Sequence, residues 1–348
     1  RGYYIEDLRT LSLGWWDARQ CNSAFIQLVG QEGITSARVT EIPPGKTLPP
    51  LKFALDEIVY VVEGRGLTTI WAGEKRPKKT FEWQKHSMFL VPHNYTHQFA
   101  NMQGDKPVRL LQYNYMPLTL SGVRDANLIF GNLYEGSDIQ NEMDFYSEAK
   151  MISQDTLDES WGRRAYWYGN FFPDMRAWDK LDANVRRGAG GRSVYIQFAD
   201  SEMSCHMSVF DARLYKKAHR HGPGRVIVIP AGEGYSIMWE EGKDKVVVPW
   251  HEASCFTPPN KWFHQHFNAG GEPARYLALH PPRQFLGHAE KVEDRAKDQI
   301  EYVNEDNWVR EKFESELAKR GITSLMPPQT YTDPDFEWNW KPFLKSAK

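Results

Sequence analysis

Residues 223–234 read PGRVIVIPAGEG, and residues 55–66 read LDEIVYVVEGRG. Each is a short run rich in β-branched and apolar residues that ends in a Gly-x-Gly pair, Gly232/Gly234 in one and Gly64/Gly66 in the other, as a strand running into a tight turn would. A second pair of stretches follows in the same order: Pro92-His93-Asn94-Tyr95-Thr96-His97 with Asn101, and Pro259-Asn260-Lys261-Trp262-Phe263-His264 with Asn268. The two offsets are 168 and 167 residues. Two motifs repeating in order at nearly one spacing predict a duplicated β domain, with one copy over 20–135 and the other over 190–285.

Outside the copies the pattern changes. The stretch NEMDFYSEAKMISQDTLDESWG (141–162) has a helical rather than a strand period, which predicts a helical crossover within a linker over 136–189. In the C-terminal extension, 286–348, Val309, Phe313 and Leu317 fall at i, i+4 and i+8, with Asp306 placed to cap and Gly321 to stop a helix that docks on a β domain. The aromatic, proline-rich end at 327–348 reads as an ordered arm lying over a surface or clasping a second copy, so a homodimer is expected.

Composition narrows the partners. A formal net charge of -2 over 348 residues gives no field to gather nucleic acid or an anionic membrane, and no run approaches the 18 apolar residues of a membrane span. With 41% hydrophobic and 14% aromatic residues the chain is expected to pack a core. Cys21, Cys205 and Cys255 are odd in number and widely spaced, so neither a disulfide framework nor a cysteine zinc motif is written, and a reducing, cytoplasmic setting is expected.

His219-Arg220-His221 sets two imidazoles at i and i+2, on one face of a strand and close enough to share a cation. His264 offers a third ligand from a later strand of the same copy, and His266, two residues on, faces the same way. Imidazoles suit iron, copper, nickel, manganese or zinc. The competing reading is a basic surface loop, since Lys216, Lys217 and Arg220 surround the pair.

The spacing resembles the cupin superfamily, whose first motif is G-x5-H-x-H-x3-4-E-x6-G and whose second is P-x4-H-x3-N. The resemblance spans roughly 200 residues in both halves and implies an all-β bicupin, two tandem jelly-roll barrels with a helical crossover and a helical C-terminal extension. In the second copy the family's ligand positions fall on His219, His221 and His264, with Arg225 where the glutamate ligand usually stands. A three-histidine site is implied, or four with His266. In the first copy Gly45, Glu57, Gly64, Pro92, His97 and Asn101 match, but Leu51 and Phe53 replace the two histidines. That copy reads as a degenerate site in which Glu57 and His97 form a polar pair.

Cupins host many chemistries. The resemblance to three-histidine bicupin dioxygenases of the gentisate type implies an iron(II) oxygenase that joins dioxygen to a small aromatic or dicarbonyl carboxylate, although those enzymes carry the metal in the first copy. Arg225 would clamp the substrate carboxylate or else turn outward to Glu233 or Glu240. His266 would be a ligand, donor or proton carrier, and Trp239 and Trp262 would wall a planar substrate. The alternatives are a non-redox isomerase, decarboxylase or lyase using manganese, zinc or nickel, and a non-catalytic binder of a small ligand.

Overall fold

The structure is a computed structural model and describes residues 2–142, 144–153, 165–179, 181–183, 185–287 and 293–339. The chain forms two jelly-roll barrels in tandem. In the N-terminal half the larger sheet runs, in spatial order, Phe171–Phe172, Met88–Val91, Glu57–Glu63, Val108–Asn114, Ser36–Ile42, Cys21–Ile26 and Gly14–Trp16. Its smaller sheet is Lys79–Gln84, Arg65–Trp71 and Thr96–Asn101. The C-terminal half repeats this order: Tyr4–Ile5, Cys255–Phe256, Val226–Ala231, Ala274–Leu279, Ser204–Phe210 and Arg192–Gln197, extended by Ala165–Tyr168 and Lys150–Ser153. Against it lie Val246–Trp250, Gly234–Trp239, Phe263–Asn268, Ala218–His219 and Gln299–Ile300.

The recurring glycines mark where the chain passes from one sheet to the other. Gly64 and Gly232 have φ of 92° and 94°, and a Cβ at either would lie 2.4 Å from Val108 Cγ1 or 2.6 Å from Ala274. The recurring asparagines close a later turn. Asn101 Nδ2 donates to the Ile42, Pro43 and Lys106 carbonyls, and Asn268 Nδ2 to those of Phe210 and Glu272.

The halves are stitched by exchanged edge strands. Tyr4–Ile5 pairs with Cys255–Phe256 of the second barrel, while Phe171–Phe172 pairs with Met88–Val91 of the first. Strand alternation then sets two environments. Ile58, Tyr60, Leu111 and Tyr113 meet Ile196, Met207, Val226 and Leu277 in one core between the larger sheets, whereas Val59 and Val61, or Ile227 and Ile229, point into their own barrel. Arg225 therefore points inward as well.

The crossover differs from the expected helix over 141–162. Its helices come earlier, at Met116–Gly122, Ala126–Phe130 and Ile139–Glu142, and Lys150–Ser153 is a strand paired with Ala165–Tyr168. The physical reason is that Met151 and Ile152 join an open sheet edge instead of forming an isolated helix; residues 154–162 lie outside the described residues.

The C-terminal helix forms over Asn307–Ala318, and the Asp306 carboxylate accepts the Trp308 N–H at 3.0 Å. Val309, Phe313 and Leu317 are buried against Tyr215, Tyr235 and Phe267 on the outer face of the smaller sheet, and Tyr331 and Trp338 of the arm pack on the same cluster. Phe313→Ala is expected to cost about 3–5 kcal/mol of stability, read as a lower midpoint in urea. Glu305 sits beneath this helix, taking hydrogen bonds from the Tyr215 hydroxyl and from Gln265 Nε2, and burial pushes its carboxyl up to about 7. The folded chain thus keeps a proton that the unfolded chain releases from about pH 4.5, so this stability is full at low pH and is lost as pH rises through about 7. Glu305→Gln should remove that decline and gain roughly 1–3 kcal/mol over the unchanged protein near pH 8, with little gain near pH 5.

Candidate metal centre

The strand Phe263–Asn268 divides its side chains between two surroundings. Phe263 and Phe267 join the cluster under the C-terminal helix, so His264 and His266 face the barrel interior, where they are 1% and 2% exposed. His219 pairs with His264 across neighbouring strands, and the Lys261 N–H donates to the His221 carbonyl at 2.9 Å, tying the preceding turn to the third histidine. Ring centroids lie 4.2 Å apart for His219 and His264, 4.5 Å for His221 and His264, and 5.8 Å for His219 and His221. One nitrogen from each of these three lies within 4.8 Å of the others. Among the described residues this is the one group of three or more such side chains arranged to hold an ion.

The donor set fits a divalent transition metal. Burial pushes His264 down to about 3 and His219 well below the ordinary imidazole range, so both are neutral near pH 7 with a lone pair to offer. His221 Nδ1 is bound to the Gly222 carbonyl at 2.7 Å and His264 Nδ1 to that of Trp262 at 3.2 Å. Carbonyls only accept, so each of these Nδ1 atoms carries a proton, which leaves the lone pair of neutral His264 on Nε2. His219 Nδ1 is buried with no protein partner, as a ligand awaiting an ion would be. His266 lies apart. Ser236 Oγ accepts the Trp250 indole N–H at 3.0 Å and meets His266 Nδ1 at 2.8 Å. With the indole donating, the hydroxyl is free to give its own proton to Nδ1, the tautomer in which His266 Nε2 carries an N–H.

Arg225 is 7% exposed and inside the barrel, away from the alternative of an outward pairing with Glu233 or Glu240. Burial lowers its guanidinium to about 10, opposed by the phenols of Tyr195, Tyr276 and Tyr113. Beside it His206 Nδ1 and His280 Nε2 are 2.7 Å apart, and His280 Nδ1 lies 3.2 Å from Ser204 Oγ. Tyr276 stands between the two groups of histidines, with ring centroids 5.9 Å from His206 and 4.7 Å from His266. Lys216 is fully buried, donates to Ser208 Oγ, and reaches the Tyr276 hydroxyl at 3.5 Å. Half-buried Arg187, from the connection between barrels, donates to Gln299 Oε1 at 2.9 Å and adds its charge to the same histidines. Among the described residues, cations therefore gather here with no carboxylate in the group of candidate ligands.

Of the two expected wall residues, Trp239 stands elsewhere, while Trp262 packs at the edge of the barrel-interior cluster. Trp239 shares its side of the strand with Tyr235 and Ile237, so it stacks on Phe263 outside the barrel beneath the C-terminal helix, and Met238 takes the inward place. Trp262 precedes its strand and packs its ring on Tyr3, 5.6 Å between centroids, contributing its carbonyl to His264. Lys216, expected in a basic surface loop, is buried instead, and neither Arg187 nor the joining of His206 to His280 was anticipated. Strand parity alone pointed His206 inward, whereas nothing local marks Arg187.

The first barrel departs from the expected pairing of Glu57 with His97. Glu57 is fully buried and takes hydrogen bonds from Arg38 Nη2 at 3.0 Å, Gln112 Nε2 at 2.6 Å and Asn114 Nδ2 at 2.9 Å. A cation and two amides thus satisfy the carboxylate, and His97 stands apart from it.

No protein-family model and no curated protein matches this sequence. Solved structures do. A deletion mutant of Bacillus subtilis oxalate decarboxylase OxdC superposes with a TM-score of 0.50 at 12% identity, over 80% of this chain and 77% of that one. A point mutant of the same enzyme gives 0.50 at 11% identity, over 81% and 78%. At such identity the likeness concerns the fold.

Proposed function

From a chain that folds as a bicupin, we propose a metal-dependent enzyme whose C-terminal barrel binds one divalent ion through His219, His221 and His264 and acts on a small carboxylate. The observation that carries this reading is the convergence of three buried imidazoles beside the inward guanidinium of Arg225. A bound divalent ion supplies undiminished positive charge and open coordination positions there, because all three ligands are uncharged. Arg225 holds the substrate carboxylate by a charge-assisted, fork-shaped pair. His266 Nε2 donates to the substrate, with Ser236 and Trp250 fixing its tautomer. His206 and His280 hold a proton between them that can pass toward Tyr276.

Within this reading the chemistry is that of an iron(II) oxygenase on an aromatic or dicarbonyl carboxylate. Iron-loaded protein should consume dioxygen in step with substrate across a panel of such compounds. A second reading, a non-redox decarboxylase, isomerase or lyase with manganese, zinc or nickel, draws support from the fold shared with oxalate decarboxylase. Undiminished turnover under nitrogen selects it. Metal binding and ligand-dependent thermal shifts without turnover would leave a binding protein.

A further inference from the structure

The N-terminal barrel carries polar groups that its own chain leaves unsatisfied. His97 is 0% exposed, between the rings of Phe53 and Phe99 at centroid distances of 5.8 and 5.0 Å, and neither ring nitrogen has a hydrogen-bond partner. The Tyr95 backbone lies close enough to act on the ring, yet no hydrogen bond to it forms, whereas His264 Nδ1 in the other barrel does bond to the Trp262 carbonyl. Burial keeps the ring neutral, so one of its nitrogens is a lone pair with no partner inside the barrel. Such an orphan costs roughly 1–3 kcal/mol unless something fills it.

A cation lies at the same end. Arg19, 9% exposed, ends the turn Asp17–Arg19 and donates from Nη1 to the Pro49 carbonyl at 2.8 Å. Pro49 is two residues before Leu51, whose backbone exchanges hydrogen bonds of 3.0 and 2.9 Å with that of His97. Arg38 is spent on Glu57, so two guanidiniums share one buried carboxylate and a single positive charge is left over. Nearby Cys21 is buried with its thiol pushed up by burial, so it supplies no counter-charge.

We propose that this barrel is a second small-molecule site, distinct from the metal centre, which takes a small hydroxycarboxylate monoanion. Its carboxylate pairs with Arg19, and its hydroxyl donates to the bare ring nitrogen of His97. Leu51 and Phe53 stand where the other barrel has metal ligands, so the site binds the anion without a metal.

The test is calorimetric titration of the full chain with glycolate and with acetate near pH 7. Glycolate should bind in the unchanged protein and still bind in His264→Ala, where the metal centre is disabled, and this persisting binding should be at least tenfold weaker when Arg19→Met is added. Its roughly tenfold advantage over acetate should vanish in His97→Phe. Should a barrel variant misfold, nitrogen NMR of histidine-labelled, unchanged protein gives the answer independently, since the His97 ring-nitrogen resonance should move with glycolate and not with chloride. Glycolate binding that survives in Arg19→Met but disappears in His264→Ala would overturn the proposal. So would the absence of both heat and resonance shift at tens of millimolar glycolate.

Discussion

A His219→Ala protein is expected to fold, yet to lose its metal and its turnover together. His219 supplies one of three ligands, and the remaining two, His221 and His264, hold a divalent ion far less tightly. Because outer-shell changes alone cost 10–100-fold in affinity, loss of a direct ligand should exceed a thousandfold, on an order-of-magnitude scale. Folding should persist, since the barrel core around Phe210, Ile227, Ile229 and Phe256 and the core between the larger sheets do not include this ring. Melting curves with and without added metal separate the two effects. At a thousandfold excess over its dissociation constant an ion adds about 4 kcal/mol to the unchanged protein, and that increment should be absent from the variant. A variant that kept its full metal content would show that another set of residues binds it.

Arg225→Met is expected to lower kcat/KM for the carboxylate substrate by about 10²- to 10³-fold while leaving the metal in place. A buried, fork-shaped ion pair is worth several kcal/mol, because the site offers no water to replace it. Arg225→Lys should recover only part of the loss, since an ammonium cannot match both carboxylate oxygens. The readout that separates binding from mere packing is the methyl ester of the same substrate. The unchanged enzyme should prefer the acid strongly, whereas Arg225→Met should treat acid and ester alike. A drop in stability with the preference intact would reduce Arg225 to a core residue.

Much of this architecture was legible along the chain. The repeated Gly-x-Gly and Pro-x4-His-x3-Asn stretches belong to equivalent strands and turns, because Gly64 and Gly232 adopt a positive φ and Asn101 and Asn268 satisfy turn carbonyls. Such backbone demands leave marks in local sequence. His219, His221 and His264 could likewise be singled out by spacing, although only His219 and His264 lie on paired strands and His221 follows the short strand Ala218–His219. What stayed hidden depends on distant chain. Trp239 sits outside because the C-terminal helix, with Phe313 at its centre, covers that face of the sheet. Arg187 reaches the histidines from the connection between barrels, and Tyr4–Ile5 joins the far barrel by strand exchange. Glu57 left His97 for Arg38, Gln112 and Asn114 because three donors on neighbouring strands satisfy a buried carboxylate better than one imidazole can.

X-ray absorption at the metal edge, on protein purified without chelators or a metal-affinity column and quantified by elemental analysis, probes the centre directly. About one divalent first-row ion per chain, with three imidazole nitrogens at about 2.1 Å and no sulfur or protein carboxylate in its shell, is the expected result. An ion-free protein, or an ion bound through sulfur or carboxylate, would contradict the three-histidine centre.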